Sequence, residues 1–121
     1  MREKEPPEPT NPIGTVVIGS LHPDMMDTAK EMVRKSLKAA LFKTVDLGRG
    51  VSPTTFASKA KEVNAQIIVV TITLDAAKQN LPKLISAIES EGLKDKVAVL
   101  IGGAAVTKEE ADKMGAFVWQ N

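Results

Sequence analysis

The side chains most capable of chemistry lie together in one short stretch near the start of the sequence. His22, Asp24 and Asp27 follow an apolar run at residues 15–19, whose β-branched residues are typical of a strand. Residues 20–26 form the predicted loop after this strand, and a helical pattern begins directly behind it. In an open α/β sheet, ligands bind in the loops that leave the carboxyl ends of the strands. We therefore expect the functional site in this loop.

The residue types exclude several kinds of catalytic site. The chain has no cysteine, so thiolate ligands and disulfides are excluded. His22 is the only histidine, with no second imidazole beside it, which argues against a histidine-based triad or a His-rich zinc site. Asp24 and Asp27 could bind magnesium or act as an acid and a base, or could cap the following helix. Neither a G-x-G-x-x-G motif nor a Walker loop follows the first strand, which argues against nicotinamide and nucleoside triphosphate binding.

Apolar periodicity predicts strands that alternate with helices. Strands are expected at residues 15–19, 42–47, 65–74, 97–101 and 117–119, and helices at residues 27–41, 53–63, 80–91 and 107–114. The continuous β-branched run at 65–74 is typical of a central parallel strand that is buried on both faces. Because this alternation requires right-handed crossovers, we predict a doubly wound α/β domain with a five-stranded parallel sheet and helices on both faces.

The first predicted helix carries an apolar face and a basic stripe. The helical period places Met32, Val33 and Leu37 with other apolar residues on one face. Lys30, Arg34, Lys35 and Lys38 then fall mainly on the outer side. Such a stripe is a solvated face or a docking surface for an acidic partner.

Composition narrows the class of protein. A chain of 121 residues forms one domain, which we place at residues 13–121, and residues 1–12 read as a flexible Pro/Glu-rich tail or linker. Sixteen basic and fifteen acidic side chains, with three Phe and one Trp, make nucleic acid an improbable partner. No apolar run is long enough to span a membrane, and the absence of cysteine fits a cytoplasmic location.

Three further stretches resemble one known family. Residues 14–19 (GTVVIG), 45–48 (VDLG) and 100–107 (LIGGAAVT) are similar to the framework of the corrinoid-binding domain of methyltransferase corrinoid proteins. The family pattern is Asp-x-His-x-x-Gly after the first strand, Ser-x-Leu at the end of the third and Gly-Gly at the end of the fourth. The resemblance covers residues 14–121 and implies a flavodoxin-like (Rossmann-like) fold, a cobalamin cofactor and a role in carrying methyl groups.

The functional loop departs from that pattern. Asp24 occupies the position of the family's aspartate, but Met26 stands at the cobalt-ligating histidine and Ala29 at the glycine. In the family, the histidine displaces the cofactor's dimethylbenzimidazole, and the nucleotide tail enters a groove beside the serine and the two glycines. The resemblance therefore implies a cofactor site without a metal ligand from the protein, formed by Asp24, Met25, Met26, Asp27, Thr71, Thr73, Gly102, Gly103 and Trp119.

Several interpretations of these residues remain open. A thioether is a weaker cobalt donor than an imidazole, so we prefer a corrinoid held with no protein ligand below the metal. Weak coordination by Met26, or a swing of His22 into that position, is less favoured. The alternative is a cofactor-free interaction or regulatory domain. In that case the methionines pack over the sheet, the threonines reflect strand propensity, the glycines form a turn and Trp119 packs in the core.

The resemblance also implies partners. In the family, a helical bundle precedes this domain and caps the reactive face of the corrin, and residues 1–12 resemble the linker to that bundle. We expect methyltransferase subunits and a capping helical domain as partners. The sequence ends where a doubly wound domain normally adds a helix, which favours a partner chain such as a second copy, or a longer natural protein.

Overall fold

The computed structural model describes residues 5–119, whose five strands form one parallel sheet. The elements are β1 (Gly14–Leu21), α1 (Thr28–Ala39), β2 (Phe42–Val51), α2 (Pro53–Glu62), β3 (Ile67–Thr71), α3 (Asp75–Lys78), α4 (Leu81–Ser90), β4 (Ala98–Gly102), α5 (Lys108–Lys113) and β5 (Phe117–Val118). The strand order is β2-β1-β3-β4-β5, which is the flavodoxin-like order. The predicted fold class is confirmed.

The two faces of the sheet are covered unequally. The larger apolar cluster includes Val17, Phe56, Ile68 and Leu84, and it buries one face of the sheet beneath α2 and α4. The smaller cluster lies under α1 and includes Ile18, Val33 and Val69, with partly buried Leu100 and Trp119 at its margin. Phe117 is 62% exposed. Over β4 and β5, the face that α1 covers is therefore open to solvent within residues 5–119.

Strand β2 is longer than predicted because two bulges carry it past its glycines. Ile18 pairs with Asp46, Gly19 with Gly48, and Leu21 with Val51, so the register shifts twice. Gly48 and Gly50 have φ angles of 91° and 62°, which glycine adopts without strain. The sequence prediction ended this strand at residue 47, before both glycines. The extended strand brings Gly50 to the loop after β1.

The prediction of an outward-facing basic stripe on α1 is wrong for two of its lysines. Lys30 is 3% and Lys38 6% exposed. The ammonium of Lys30 lies 2.8 Å from the Asp46 carboxylate on β2, and Lys38 lies 2.7 Å from the Glu5 carboxylate. Buried ammonium groups require such partners, and these carboxylates are distant in the sequence.

The same ion pairs hold the segment before β1 against α1. Glu5 contacts both Arg34 and Lys38, and Glu8 lies 2.9 Å from the ammonium of Lys38. Residues 5–12 form no helix or strand. Flexibility of this segment stays a prediction, and residues 1–4 lie outside the described part of the chain. None of the helices between residues 5 and 119 is long and apolar enough to cross a membrane.

Glu31 should make the stability of the fold depend on acidic pH. Hydrogen bonds from Arg34 and then Lys30 lower the pKa of Glu31 to about 2. A carboxyl whose pKa is lower in the folded state adds stability above its unfolded pKa, and this stability is lost as the pH falls from about 4.5 towards 2. Glu31→Gln should therefore lower the free energy of unfolding by about 1–3 kcal/mol at pH 7 and by much less at pH 2.5.

Urea unfolding at the two pH values measures this effect. Glu62→Gln is a matched control, because Glu62 also lies on a helix but is 67% exposed and pairs with Lys59 at 3.3 Å. An equal loss of stability for Glu31→Gln at both pH values would contradict the assignment.

Candidate functional site

Three strands end at the same edge of the sheet and bring the predicted site residues together. Ser20 pairs with Thr71 across β1 and β3, and Thr71 pairs with Gly102 across β3 and β4. The Ser20 and Thr71 hydroxyl oxygens are 3.0 Å apart and buried. The three residues thus form a row at the carboxyl edge, where an open α/β sheet binds its ligands.

The Asp24 carboxylate is the centre of the loop after β1. Its side chain is completely buried. One oxygen accepts a hydrogen bond from the Met26 backbone N–H at 3.0 Å. The other accepts from the Thr73 hydroxyl at 2.8 Å and from the Thr73 backbone N–H. Asp24 therefore cross-links the loop after β1 to the segment after β3.

Three further hydrogen bonds fix the backbone of the same loop. The Ser20 hydroxyl donates to the Met26 carbonyl at 2.9 Å. The Asn80 amide donates to the His22 carbonyl at 2.7 Å, and the Gly50 N–H donates to the Asp24 carbonyl at 2.9 Å. The ends of β1, β2 and β3 and the start of α4 all hold the loop, which therefore has a defined conformation.

This conformation leaves apolar side chains exposed beside the site. Met25 is 56%, Met26 55% and Leu74 43% exposed. The Met25 sulfur lies so close to Gly50 that a Cβ there would approach it to 2.9 Å. Both methionines thus extend largely into solvent rather than packing into the core. Apolar side chains in this number at one edge are typical of a binding surface.

Asp27 does not join this hydrogen-bonded group. It occupies the N-cap position of α1, but its side chain makes no capping hydrogen bond. Instead it lies 3.2 Å from the ammonium of Lys30 and is about half exposed. Between residues 5 and 119, no group of three or more His, Asp or Glu side chains is placed to hold a metal ion.

The two glycines at the end of β4 have different surroundings. A Cβ on Gly102 would lie 3.3 Å from the Thr71 methyl and 3.6 Å from a Val33 methyl, so the strand is closely covered at this point. A Cβ on Gly103, which has φ +97°, would lie 2.3 Å from the Ile72 carbonyl oxygen. Position 103 therefore requires glycine, because any side chain there would clash with the Ile72 backbone just after β3.

Trp119 lies at the open margin of the sheet. Its backbone N–H donates to the Ile101 carbonyl at 2.8 Å. Its half-buried side chain packs, like Leu100, against the smaller apolar cluster. Leu100 and Trp119 are partly buried on the face of the sheet that α1 covers. Phe117 on the same face is 62% exposed, so this margin is open to solvent within residues 5–119.

Sequence reasoning missed three residues that shape the site. Ser20, Gly50 and Asn80 each donate a hydrogen bond to the loop backbone. Ser20 carried a signal, because it is a polar residue at the end of an apolar strand. The contacts of Gly50 and Asn80 depend on the bulges in β2 and on the segment before α4, which no local pattern indicates.

Comparison with known proteins assigns the family. Residues 14–120 match the model of the B12 binding domain. The chain belongs to the B12-binding domain family. It is 41% identical over 107 residues to trimethylamine corrinoid protein 1 of Methanosarcina acetivorans, covering 88% of this chain and 50% of that protein. It is 39% identical over 104 residues to the dimethylamine corrinoid protein of Methanosarcina barkeri, covering 86% and 49%.

Solved structures agree with this assignment. A cobalamin-binding protein from Desulfitobacterium hafniense superposes with a TM-score of 0.81 at 28% identity, over 87% of this chain and 51% of that one. The monomethylamine corrinoid protein of Methanosarcina barkeri, at 24% identity and a TM-score of 0.80, supports the fold alone. The chain spans about half the length of the curated relatives it matches.

These matches confirm the family that the sequence motifs predicted, and with it cobalamin as the cofactor class of the domain. The individual cofactor contacts predicted from the motifs are not tested by them. The structure places Asp24, Met25, Met26, Thr71, Thr73 and Gly102 at one edge, with Trp119 at the open margin of the sheet.

The Asp24 carboxylate should be a principal support of the loop. Asp24→Asn replaces one acceptor oxygen by an NH2 group, which leaves a buried N–H of Met26 or Thr73 without a partner. We expect a loss of about 1–3 kcal/mol in the free energy of unfolding, together with faster amide exchange at Met26 and Thr73. Asp95→Asn, at an exposed loop position, is the control. Unfolding midpoints that agree between the two variants would rule out this role.

Proposed function

We propose that this chain is a corrinoid-binding module that carries methyl groups for separate methyltransferase subunits, and that it binds cobalamin without a histidine ligand to cobalt. The observation that carries the proposal is the fixed loop at residues 22–27, which presents Met25 and Met26 at the carboxyl edge of a B12-binding domain. The named relatives, which are methylamine corrinoid proteins, support the methyl-carrying role.

The residues at this edge fit the apolar part of the cofactor. A corrin is a broad macrocycle whose face offers apolar contact area, while its rim carries amide side chains and methyl groups. Met25, Met26 and Leu74 offer exposed apolar contact area of the adaptable kind that methionine provides. The nucleotide tail would lie on the open face beside α1, against Leu100 and Trp119. Polar groups of the tail require hydrogen-bond partners when buried, and the Thr71 hydroxyl, which is buried against Ser20 in this structure, would have to become accessible to serve as one.

The donor set favours a bound state without an axial ligand from the protein. The thioether of Met26 is neutral and a weak donor for cobalt, whereas an imidazole is stronger. His22 is exposed, but its backbone makes two hydrogen bonds. The His22 N–H donates to the Val51 carbonyl, and the His22 carbonyl accepts from the Asn80 amide. A swing of the whole residue towards position 26 would break both hydrogen bonds.

The cofactor supplies the methyl chemistry and the protein supplies binding and orientation. The chain spans about half of its relatives, and we propose that a helical domain, in the same or another chain, caps the exposed face. We also propose methyltransferase subunits as partners. A homodimer through the open face over β4 and β5 stays a prediction, as do the expectations of a cytoplasmic location and of no nucleic-acid partner.

Titration with hydroxocobalamin tests the proposed function. The purified protein should retain a red chromophore on gel filtration after incubation at tens of micromolar cofactor. Because residue 26 supplies no imidazole ligand to the cobalt, we expect weak affinity, with a dissociation constant of about 1–100 µM. Absence of any co-eluting chromophore would refute corrinoid binding and leave the cofactor-free interaction domain as the better account.

An imidazole at position 26 should strengthen binding. Met26→His should lower the dissociation constant for hydroxocobalamin at least tenfold, about 1.4 kcal/mol, and shift the cobalt absorption bands towards those of an imidazole-ligated form. Ala29→Gly in the same chain restores the rest of the family motif. Met32→His is a matched control, because Met32 is similarly exposed, at 50%, but lies on α1 outside the loop. Equal affinities and spectra for Met26→His and Met32→His would mean that position 26 does not face the cobalt.

A further inference from the structure

The hydrogen bonds of Asp24 raise a question about the missing imidazole. A carboxylate has two oxygens with about four acceptor positions. Three donors already occupy the Asp24 carboxylate, namely the N–H of Met26 and both the N–H and the hydroxyl of Thr73. The side chain is completely buried. About one acceptor position is therefore left for an additional donor, and burial restricts access to it.

Position 26 and the Asp24 carboxylate also face different environments. The Met26 side chain is 55% exposed, whereas Asp24 has no exposed surface. The Met26 backbone is fixed by two hydrogen bonds, through its N–H to Asp24 and through its carbonyl to Ser20. A side chain at position 26 is therefore directed to solvent by a backbone that Asp24 itself holds.

The Thr73 hydroxyl is the contact on Asp24 that depends on residue type. Both N–H donors are backbone groups that any residue except proline supplies at positions 26 and 73. The hydroxyl donates to Asp24 across 49 residues of sequence at 2.8 Å. In the family pattern described above, the position of Thr73 is a leucine, which has no hydroxyl to donate.

We propose that Thr73 is a positioning residue, which occupies the Asp24 carboxylate and so keeps it from accepting a hydrogen bond from an imidazole at position 26. The two departures from the family pattern, at positions 26 and 73, then act together. Asp24 serves as a cross-link between two loops rather than as the partner of an imidazole. The relevance of this for cofactor binding rests on the proposed function, but the hydrogen-bond competition does not.

A pair of double variants tests the competition without any cofactor. Met26→His is combined with Thr73→Val, which removes the hydroxyl at nearly constant volume, or with Thr73→Ser, which keeps it. The pKa of the new imidazole is measured by NMR titration, with the signal of His22, the only native histidine, as reference. A hydrogen bond to a carboxylate favours the charged imidazole. We expect a pKa about one unit higher with Thr73→Val than with Thr73→Ser.

Equal pKa values in the two double variants would overturn the proposal. The single variant Met26→His gives a second, independent test at an exposed position that tolerates substitution. With Thr73 intact, its imidazole Nδ1–H should exchange rapidly with water, and a protected Nδ1–H signal would show that Asp24 accepts the imidazole despite Thr73. Neither the pKa comparison nor the Nδ1–H exchange measurement uses a corrinoid. Both therefore test the role of Thr73 even if the protein does not bind hydroxocobalamin.

Discussion

The buried carboxylate of Asp24 is the interaction on which this site depends. Burial of a charged group is unfavourable unless hydrogen bonds compensate it, and the N–H of Met26 and the two donors of Thr73 provide that compensation. Because these donors lie on separate segments, the carboxylate joins the ends of β1 and β3. Its own carbonyl oxygen accepts from Gly50, at the end of β2. A single residue thus joins three strand ends and helps to fix the loop that carries Met25 and Met26.

The chemistry of the edge follows from this constraint. With the polar groups of the loop paired internally, the surface left for a ligand is formed by Met25, Met26 and Leu74. Such a surface binds a broad apolar group through contact area and adapts to its shape, but provides no strong metal ligand. The open face beside α1, where Leu100 and Trp119 are partly buried, gives a second region of contact. A corrinoid bound here would be held by its macrocycle and its tail rather than by its metal.

Much of the fold follows from local sequence patterns, whereas much of the site does not. The alternation of strands and helices, the central β3 and the capping box at Thr107 are local signals, and the structure contains all of them. The flavodoxin-like order came from the family motifs. The burial of Lys30 and Lys38 was missed because their carboxylate partners lie on β2 and before β1. Helix α3, of four residues, is too short for a periodic signal. The contact between Asp24 and Thr73 spans 49 residues, so no local pattern contains it.

The central claim is that this domain holds cobalamin with no nitrogen ligand below the cobalt. The electron paramagnetic resonance spectrum of the protein loaded with cob(II)alamin tests it most directly, because an axial nitrogen splits the cobalt lines into triplets. We expect lines without this splitting, because Met26 stands in place of the family's histidine and the proposed binding mode would keep the nucleotide base off the cobalt. Triplet splitting in the protein-bound spectrum, from His22 or from the cofactor's own base, would contradict it.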